Sequence, residues 1–259
     1  MNIATSEHGS TELSGARLAR VIPGVTPIEA TALTNLPAVN RFVGRNTVIA
    51  HEAQPLDKLR LFVAGWAMRS VGMAGERRQI VGFVLPGDLE GLYADFRQAS
   101  ATDVVTLSRC EIAEFALSDV LQLAEDYPGI GAGFRKYMAA EAAILGDQVL
   151  RLGRMTAYER VIHLLLEIFD RQASGAPDGT IVDFPITQSI VADALGLSVV
   201  HVNRQVMRLR QEGLLELDRK TLKILDFNAL QRLSGYKVRV REVAPAYYTG
   251  AAERARRFA

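Results

Sequence analysis

The chain has 259 residues, 49% of them hydrophobic, and its charges nearly cancel to a formal net charge of +1 at pH 7. A chain of this length has room for two domains with real cores, which excludes an intrinsically disordered protein. No apolar run approaches the roughly 18 residues of a membrane span, and the first residues lack the charged and apolar regions of a secretory signal, so we expect a cytoplasmic protein. The single cysteine, Cys110, is too few for a disulfide framework, a zinc knuckle or a four-cysteine iron–sulfur cluster within one chain. The histidines are scattered without metal-ligand spacing, at His8, His51, His163 and His201.

The beginning of the chain shows little periodicity. Residues 1–21 are polar and small, a composition that predicts a flexible tail. Between Pro23 and Val39, apolar residues recur at helical spacing and then meet Pro37, which predicts a short amphipathic helix. The predicted inward positions of this helix are Ile28, Ala32, Leu33 and Leu36.

Short apolar runs separated by turn-rich pieces fill residues 41–115. The runs are TVIAHEA, KLRLFVAGWAMRSVG, RRQIVGFVLPGD and DVVTLSRCEIAEF. Many short strands at this spacing predict an antiparallel β-sandwich or small barrel, which we assign to residues 22–117. Cys110 lies in an apolar run, so we expect a buried, inert thiol rather than a redox switch. Arg77 and Arg78 are expected at a solvated hairpin tip.

A helical pattern begins near Ser118. Its apolar residues recur at alternating steps of four and three, forming a seam of about two heptads. The seam consists of Met138, Ala142, Leu145, Val149 and Leu152. Such a stripe needs a partner, which a second copy of the chain supplies, and packing onto the chain's own β domain is the alternative. Residues 118–155 are therefore predicted to be a dimerisation helix and hinge.

The hinge is followed by a helix start. Thr156 and Glu159 have the spacing of a capping box, and the next helix has one apolar face. That face consists of Ile162, Leu165, Leu166 and Phe169. Residues 174–183 are polar and predict a loop.

Residues 184–223 carry the pattern of two short helices and a hairpin. Thr187 can cap the first helix, whose apolar stripe ends at Gly196, and Ser198 can cap the second. The inward positions of the second helix are predicted to be Val202, Val206, Met207 and Leu209. Its solvent-facing positions are His201, Asn203, Arg204, Arg208 and Arg210. Two helices joined through Gly-Leu-Ser are typical of a DNA-binding helix-turn-helix, whose second helix enters the major groove.

The pattern changes period after Gly213, where apolar residues flank a polar tip at 218–220. This change predicts a β-hairpin wing, which completes a winged helix-turn-helix over residues 156–236. Residues 237–259 are predicted to be a C-terminal tail whose arginines suit attraction to phosphate. Those arginines are Arg254, Arg256 and Arg257. The alternative is a plain helical hairpin in another core, with a merely solvated arginine face.

The order of these parts resembles the Crp/Fnr superfamily of bacterial transcription regulators over roughly residues 25–235. The most specific pieces are ITQSIVADALGLSVVHVNRQVMRLRQEGLLEL and GWAMRSVGMAGERRQIVGFVLPGDLEG. The resemblance implies an α+β fold with an N-terminal antiparallel β-roll of the cyclic-nucleotide-binding type, a long dimerisation helix and a C-terminal winged helix-turn-helix. It further implies a homodimer that binds double-stranded DNA at a twofold-symmetric operator and acts on RNA polymerase.

The resemblance also implies roles for single residues. Thr187 and Ser198 match phosphate-contacting positions, and Arg204 matches an arginine that donates to guanine. Val200 stands where the family has a glutamate; it can contact a thymine methyl but cannot accept a hydrogen bond, so the operator should differ at that step. The remaining predicted contacts are His201 and Asn203 as substitutes for the missing acceptor, Arg208 on the same helix, and Lys220 in the wing.

The sensory pocket departs further from the family pattern. Leu92 occupies the position of the glutamate that takes the ribose hydroxyl, and Ser100 and Ala101 stand near the expected arginine pair. Arg97 lies three residues too early and would need a gap in the alignment. We therefore do not expect a cyclic nucleotide. The resemblance to oxygen sensors fails because no cysteine precedes Cys110, and a haem would rest on His51 alone. An unknown effector and no effector both stay open.

The sequence thus favours a dimeric transcription regulator. The alternative is a ligand- or protein-binding β-roll protein whose helix-turn-helix serves as an interaction surface, against which the arginine face argues. An enzyme is not predicted, because the chain lacks a phosphate-binding glycine loop, a nucleophile elbow and metal-ligand spacing.

Overall fold

The computed structural model describes residues 9–74, 77–92, 99–218 and 220–238. The predicted arginine tail at 254–257, the alternative nucleotide ligand Arg97 and the wing-tip residue Arg219 lie outside the described residues. Among the described residues, no helix is both long and apolar enough to cross a membrane.

Two four-stranded antiparallel sheets form the N-terminal β-roll, as expected. Their strands are β1 (Val39–Val43), β2 (Val48–Ala50), β3 (Lys58–Ala64), β4 (Ala67–Gly72), β5 (Arg78–Val84), β6 (Leu89–Glu90), β7 (Asp103–Thr106) and β8 (Cys110–Ala116). One sheet has the order β1-β8-β3-β6 and the other β2-β7-β4-β5. Phe62, Val84 and Ile112 are among the buried side chains of a cluster that both sheets share, because alternate residues of a strand point to the same face.

The expectation of a flexible tail over residues 1–21 is wrong for residues 9–21, which form helix α1 (Gly9–Val21). Leu18 and Val21 are fully buried in a cluster that includes Leu33 and Leu59. The sequence hides this helix because its apolar positions are few and it depends on the β-roll surface for stability.

Helix α2 (Pro27–Thr34) confirms the predicted short helix and begins with a capping box between Thr26 and Glu29. Leu33 and Leu36 are buried as expected, but Ile28 is 73% exposed, so its predicted inward position is wrong. A β-carbon added at Gly133 would lie 2.4 Å from Ile22 Cγ2. The connection between α1 and α2 therefore packs closely on the long helix that contains Gly133.

Two helices follow the β-roll, α3 (Leu117–Asp126) and the long α4 (Pro128–Arg154). The predicted seam on α4 divides in two. Leu145 and Val149 are 52% and 66% exposed, and Ala142 is also exposed. Met138 is half-buried against the N-terminal cluster, and Leu152 is half-buried. The first part of the seam therefore packs on its own chain, as in the alternative prediction. Its middle part is uncovered in the single chain and remains open to pairing with a second copy.

The C-terminal domain contains the expected winged helix-turn-helix. Its elements are α5 (Ala157–Ala173), β9 (Ile181–Asp183), α6 (Gln188–Leu195), α7 (Val199–Gln211), β10 (Leu215–Leu217), β11 (Thr221–Ile224) and α8 (Phe227–Ser234). The capping box of Thr156 and Glu159 is confirmed at the start of α5. The predicted loop at 174–183 is wrong at its end, where β9 pairs with β11 and makes the sheet order β10-β11-β9.

The two domains share one apolar core. Ile80, Phe83 and Leu85 of the β-roll belong to the same buried cluster as Leu165 and Leu195 of the C-terminal domain. Arg171 of α5 forms a buried ion pair with Asp88 of the β-roll and also donates to the Phe83 carbonyl at 3.1 Å. The C-terminal domain is therefore seated on the β-roll rather than joined to it by the hinge alone.

Candidate nucleic-acid interface

Helices α6 and α7 are each capped at their amino-terminal ends and are joined by a three-residue turn. The Thr187 hydroxyl accepts from the Ile190 amide at 3.4 Å, and the Ser198 hydroxyl accepts from the His201 amide at 3.2 Å. Gly196 ends α6 with φ of +61°, a left-handed conformation that favours glycine. Both caps and the glycine stop were predicted from the sequence and are confirmed.

Helix α7 turns an apolar side inward and a mixed side outward. Val202, Val206 and Leu209 are buried in the shared core, as predicted. Val200 is 78% exposed on the opposite side, where Asn203 and Arg204 are exposed too. The outward side of α7 therefore combines an apolar side chain with polar and cationic ones.

Met207 is 45% exposed, so its predicted inward position is wrong. It lies seven residues after Val200 and three after Arg204, which places all three on one helix face. Sequence reasoning therefore missed Met207 as part of the outward face, although the helical spacing carried that signal. We call Val200, Asn203, Arg204 and Met207 the reading face.

Arg204 and Arg208 differ in how their charges are used. The Arg204 side chain makes no hydrogen bond or ion pair with any other residue in the described ranges, so its guanidinium is available to a ligand. Arg208 stacks on the ring of Tyr158, with 4.1 Å from the guanidinium carbon to the ring centroid, and its Nε lies 2.7 Å from Glu212 Oε1. The predicted DNA contact Arg208 is thus engaged with the chain's own α5.

Tyr158 completes this cluster by donating its hydroxyl hydrogen to Glu212. Burial and the hydrogen bond to Glu212 raise the pKa of Tyr158 to about 12. The hydrogen bonds from Tyr158 and Arg208 lower the pKa of Glu212. The cluster joins the last turn of α7 to the first turn of α5, and its arginine charge is balanced internally.

The predicted hairpin of the wing is present, with β10 paired to β11 and Leu217 opposite Leu222. The Lys220 side chain is exposed and, among the described residues, has no ion-pair partner. The Lys220 carbonyl accepts from the Phe184 amide at 2.7 Å, which ties the tip of the wing to the residue that follows β9. Lys223 differs because its ammonium lies 3.3 Å from Glu216.

A buried charged group joins the β-roll to α4. Arg69 Nε lies 2.6 Å from Glu90, its Nη1 lies 2.7 Å from Glu141 of α4, and its Nη2 donates to the Leu89 carbonyl at 3.0 Å. Both carboxylates are buried. Leu92 is 5% exposed within the apolar cluster of the N-terminal helices, and the Ser100 hydroxyl donates to the Thr102 carbonyl at 2.6 Å.

A second charged group lies on the sheet that contains β3 and β8. The Glu114 carboxylate forms ion pairs with Arg41 Nη1 at 3.0 Å, Lys58 Nζ at 3.0 Å and Arg60 Nε at 3.2 Å. Burial raises the pKa of Glu114, but the hydrogen bond from Lys58 and the charges of Arg41 and Arg60 outweigh it and leave that pKa lowered. The carboxylate stays ionised because three cations surround it.

Cys110 is buried, as expected, and burial raises the pKa of its thiol to about 12. His51 is exposed, with its Nδ1 at 3.7 Å from Asp103. Among the described residues, no group of three or more histidine, cysteine or acidic side chains is arranged to hold a metal ion.

Comparisons with known proteins give matches over both domains. Residues 40–127 match the model of the cyclic nucleotide-binding domain, and residues 159–233 match that of the Crp-like helix-turn-helix domain. The nitrogen fixation regulation protein FixK of Azorhizobium caulinodans is 30% identical over 80% of this chain and 82% of its own length. The transcriptional activator FnrL of Cereibacter sphaeroides is 29% identical over 80% of this chain and 84% of its own.

A solved structure gives a similar picture of the fold. FixK2 from Bradyrhizobium japonicum superposes with a TM-score of 0.71 at 24% identity, covering 79% of this chain and 100% of that one. At this identity the likeness supports the fold alone. It agrees with the antiparallel β-roll, long helix and C-terminal helix-turn-helix described above.

Proposed function

Because this chain belongs to the Crp/Fnr family of DNA-binding transcription regulators, we propose that it binds a twofold-symmetric operator as a homodimer, with one helix α7 in each half-site. The observation that carries this proposal is the reading face. Its Arg204 is exposed and unpaired among the described residues, while the opposite side of α7 is buried in the core.

Each polar member of the reading face has a chemically matched base. Arg204 can donate two hydrogen bonds to guanine, and Asn203 can pair bidentately with adenine. Val200 can place its methyl groups against the C5-methyl of thymine. His201 is exposed and lies three residues before Arg204, from where it can contact an adjacent base or phosphate. The operator half-site should therefore contain a thymine where relatives with glutamate prefer a base that donates.

Three further residues are proposed to contact the DNA backbone. Thr187 and Ser198 sit at the amino-terminal ends of α6 and α7, where unpaired amides favour phosphate. Lys220 extends from the wing with no ion-pair partner among the described residues. Arg208 is not included, because its guanidinium is stacked on Tyr158 and paired with Glu212.

The homodimer is supported by the uncovered face of α4. Ala142, Leu145 and Val149 lie at steps of three and four and are exposed in the single chain. A second copy of α4 would cover them in a short coiled coil. Met138 and Leu152, which the sequence also placed in this seam, would lie at its margins because each is half-buried within its own chain.

We further propose that the β-roll does not bind a cyclic nucleotide. The two carboxylates on Arg69 would repel a phosphate, and neither Leu92 nor Ser100 offers the groups that the family uses to bind one. The effector of this chain, if it has one, is of another chemistry.

The site of action and the partner follow from the role. We place the protein in the cytoplasm, where its DNA target lies, and propose that it acts on RNA polymerase, in keeping with relatives named as transcriptional activators. No catalytic activity is proposed, because the relatives are regulators.

The test is selection of bound duplexes from a random pool by the purified protein without added effector, at about physiological salt. Wild type should recover a twofold-symmetric site, and Arg204→Ala should lose preference at one base pair per half-site, with a discrimination loss of about 1–3 kcal/mol. Recovery of no consensus by wild type would favour the alternative in which the helix-turn-helix binds a protein.

A further inference from the structure

The carboxyl end of helix α6 is completed by side chains from other parts of the fold. The last carbonyls of a helix have no partner within it. Here the Gly196 and Leu197 amides both return to the Ala192 carbonyl. The carbonyls of Asp193, Ala194 and Leu195 therefore need donors from elsewhere.

Two glutamine amides and one arginine supply these donors. Gln79 of β5 donates from Nε2 to the Asp193 and Ala194 carbonyls at 3.1 and 3.2 Å. Gln148 of α4 donates from Nε2 to the Ala194 carbonyl at 2.7 Å. Arg160 of α5 donates to the Leu195 carbonyl at 3.1 Å. Gln79 and Gln148 thus reach α6 from outside the C-terminal domain.

The same two amides also contact the β-roll backbone. The Ile80 carbonyl accepts from Gln79 Nε2 at 2.9 Å and from Gln148 Nε2 at 3.3 Å. Ile80 is fully buried in the core that it shares with Leu195. The amides therefore join three elements, β5, α4 and α6, at one point. We call Gln79 and Gln148 the amide clamp.

Surrounding contacts explain why the clamp has a defined geometry. Gln148 is 6% exposed, so water cannot easily replace the hydrogen bonds it makes. Arg78 is exposed, as expected, and its Nε also lies 3.0 Å from Asp193 in the last turn of α6. Moving the C-terminal domain away from the β-roll would leave buried carbonyls and amides without partners.

We propose that Gln79 and Gln148 are positioning residues for DNA recognition. They fix α6 against α4 and β5, and α7 follows α6 because the two helices share one core. This inference rests on the proposed homodimer, in which α4 lies at the twofold axis. The clamp then sets the distance between the two reading faces, and so the half-site spacing that the dimer accepts.

The test compares a double variant, Gln79→Met with Gln148→Met, with wild type and with Gln172→Met. Methionine keeps a similar shape and removes the amide donors. Gln172 is the matched control, because its Nε2 donates to the Ile168 and Asp183 carbonyls at 3.2 and 2.9 Å, both within the C-terminal domain. Each protein is bound to duplexes with two half-sites whose spacer changes by single base pairs, and to a duplex with one half-site.

Wild type and Gln172→Met should bind the duplex with the preferred spacer about tenfold more tightly than duplexes with other spacers. The double variant should show a difference in affinity of less than about threefold. Affinity for the single half-site should stay within about twofold in all three, because the reading face is unchanged. An unaltered spacing preference in the double variant would overturn the proposal. If wild type bound a duplex with one half-site as tightly as a duplex with two, the proposed homodimer would be contradicted instead.

An intrachain distance decides the role of the clamp without the dimer. Spin labels are placed at Asn228→Cys in α8 and Val48→Cys in β2, both exposed, and labelled chain is diluted with unlabelled chain. Cys110 is 1% exposed and should not label. Wild type and Gln172→Met should give one narrow distance, and the double variant a broadened one. A narrow, unshifted distance in the double variant would refute the role of the clamp. If the double variant does not fold, the single variants Gln79→Met and Gln148→Met are measured in its place.

Discussion

Arg204 and Arg208 lie one turn apart on the same helix, yet the structure separates their roles. Arg204 is free among the described residues, whereas Arg208 is stacked on Tyr158 and paired with Glu212. A paired charge must lose its partner before it can bind phosphate, so the paired arginine is the weaker candidate for a DNA contact. Residue identity alone did not separate them.

Arg208→Ala is therefore expected to lower the thermal unfolding midpoint while leaving the salt dependence of DNA binding unchanged. Lys220→Ala should behave oppositely, weakening all duplexes about equally and reducing the salt slope by roughly one. Thermal unfolding and titrations at several salt concentrations separate the two effects. A salt slope that falls for Arg208→Ala would show that its guanidinium leaves Tyr158 to bind phosphate.

Val200 permits a chemical test of base recognition. Replacing the contacted thymine by uracil removes only the C5-methyl group, and should weaken wild-type binding by about fourfold, corresponding to about 0.8 kcal/mol for one buried carbon. Val200→Ala should bind the thymine and uracil duplexes about equally. Equal binding of both duplexes by wild type would show that Val200 does not contact that base.

At the scale of elements, α4 serves two surfaces. Its buried side contacts the N-terminal helices and the β-roll, and its exposed side carries Leu145 and Val149. The heptad pattern indicated that the helix needs a partner, but it did not show which residues the chain itself would cover. That division depends on α1 and α2, which the sequence revealed only in part.

Leu145→Asp should convert the proposed dimer to monomer at micromolar concentration, because a carboxylate would be buried at the α4 seam. Ile28→Asp is the matched control, since Ile28 is 73% exposed and belongs to α2 rather than to the α4 seam. Sedimentation measures both variants. A dimer that persists in Leu145→Asp would move the interface to another surface.

At the scale of the whole molecule, one core joins the β-roll and the C-terminal domain. Ile80 and Leu85 of the β-roll lie in the same buried cluster as Leu165 and Leu195 of the C-terminal domain. A change in the conformation of the β-roll would therefore alter the position of α6 directly, through core packing and through the amide clamp, as well as through the hinge. Under the proposal that the β-roll binds no cyclic nucleotide, these contacts would hold the DNA-binding part in place by themselves.

Cyclic AMP and cyclic GMP are accordingly expected to leave the thermal unfolding midpoint unchanged. A ligand at about 100 times its dissociation constant would add about 2.7 kcal/mol to the free energy of unfolding, which calorimetry readily detects. Arg69→Leu provides the matched comparison, because it removes the cation that holds Glu90 and Glu141. A raised midpoint in wild type would contradict the proposed pocket chemistry.

The sequence by itself determined the parts that depend on local pattern. The caps at Thr156, Thr187 and Ser198, the stop at Gly196 and the paired wing strands were all predicted, because each follows from residues within a few positions of one another. The same holds for the buried Cys110 and for the family, whose motifs are contiguous.

Only the tertiary structure decided the features that join distant residues. Helix α1 could not be predicted because its apolar side is stable only against α2 and the β-roll. The pairing of Arg208 with Tyr158, of Arg69 with Glu141 and of Gln148 with the end of α6 all bring together residues at least 46 positions apart. Hydrogen bonds and ion pairs act over a few ångströms in space, and no local periodicity records which side chains the fold brings that close.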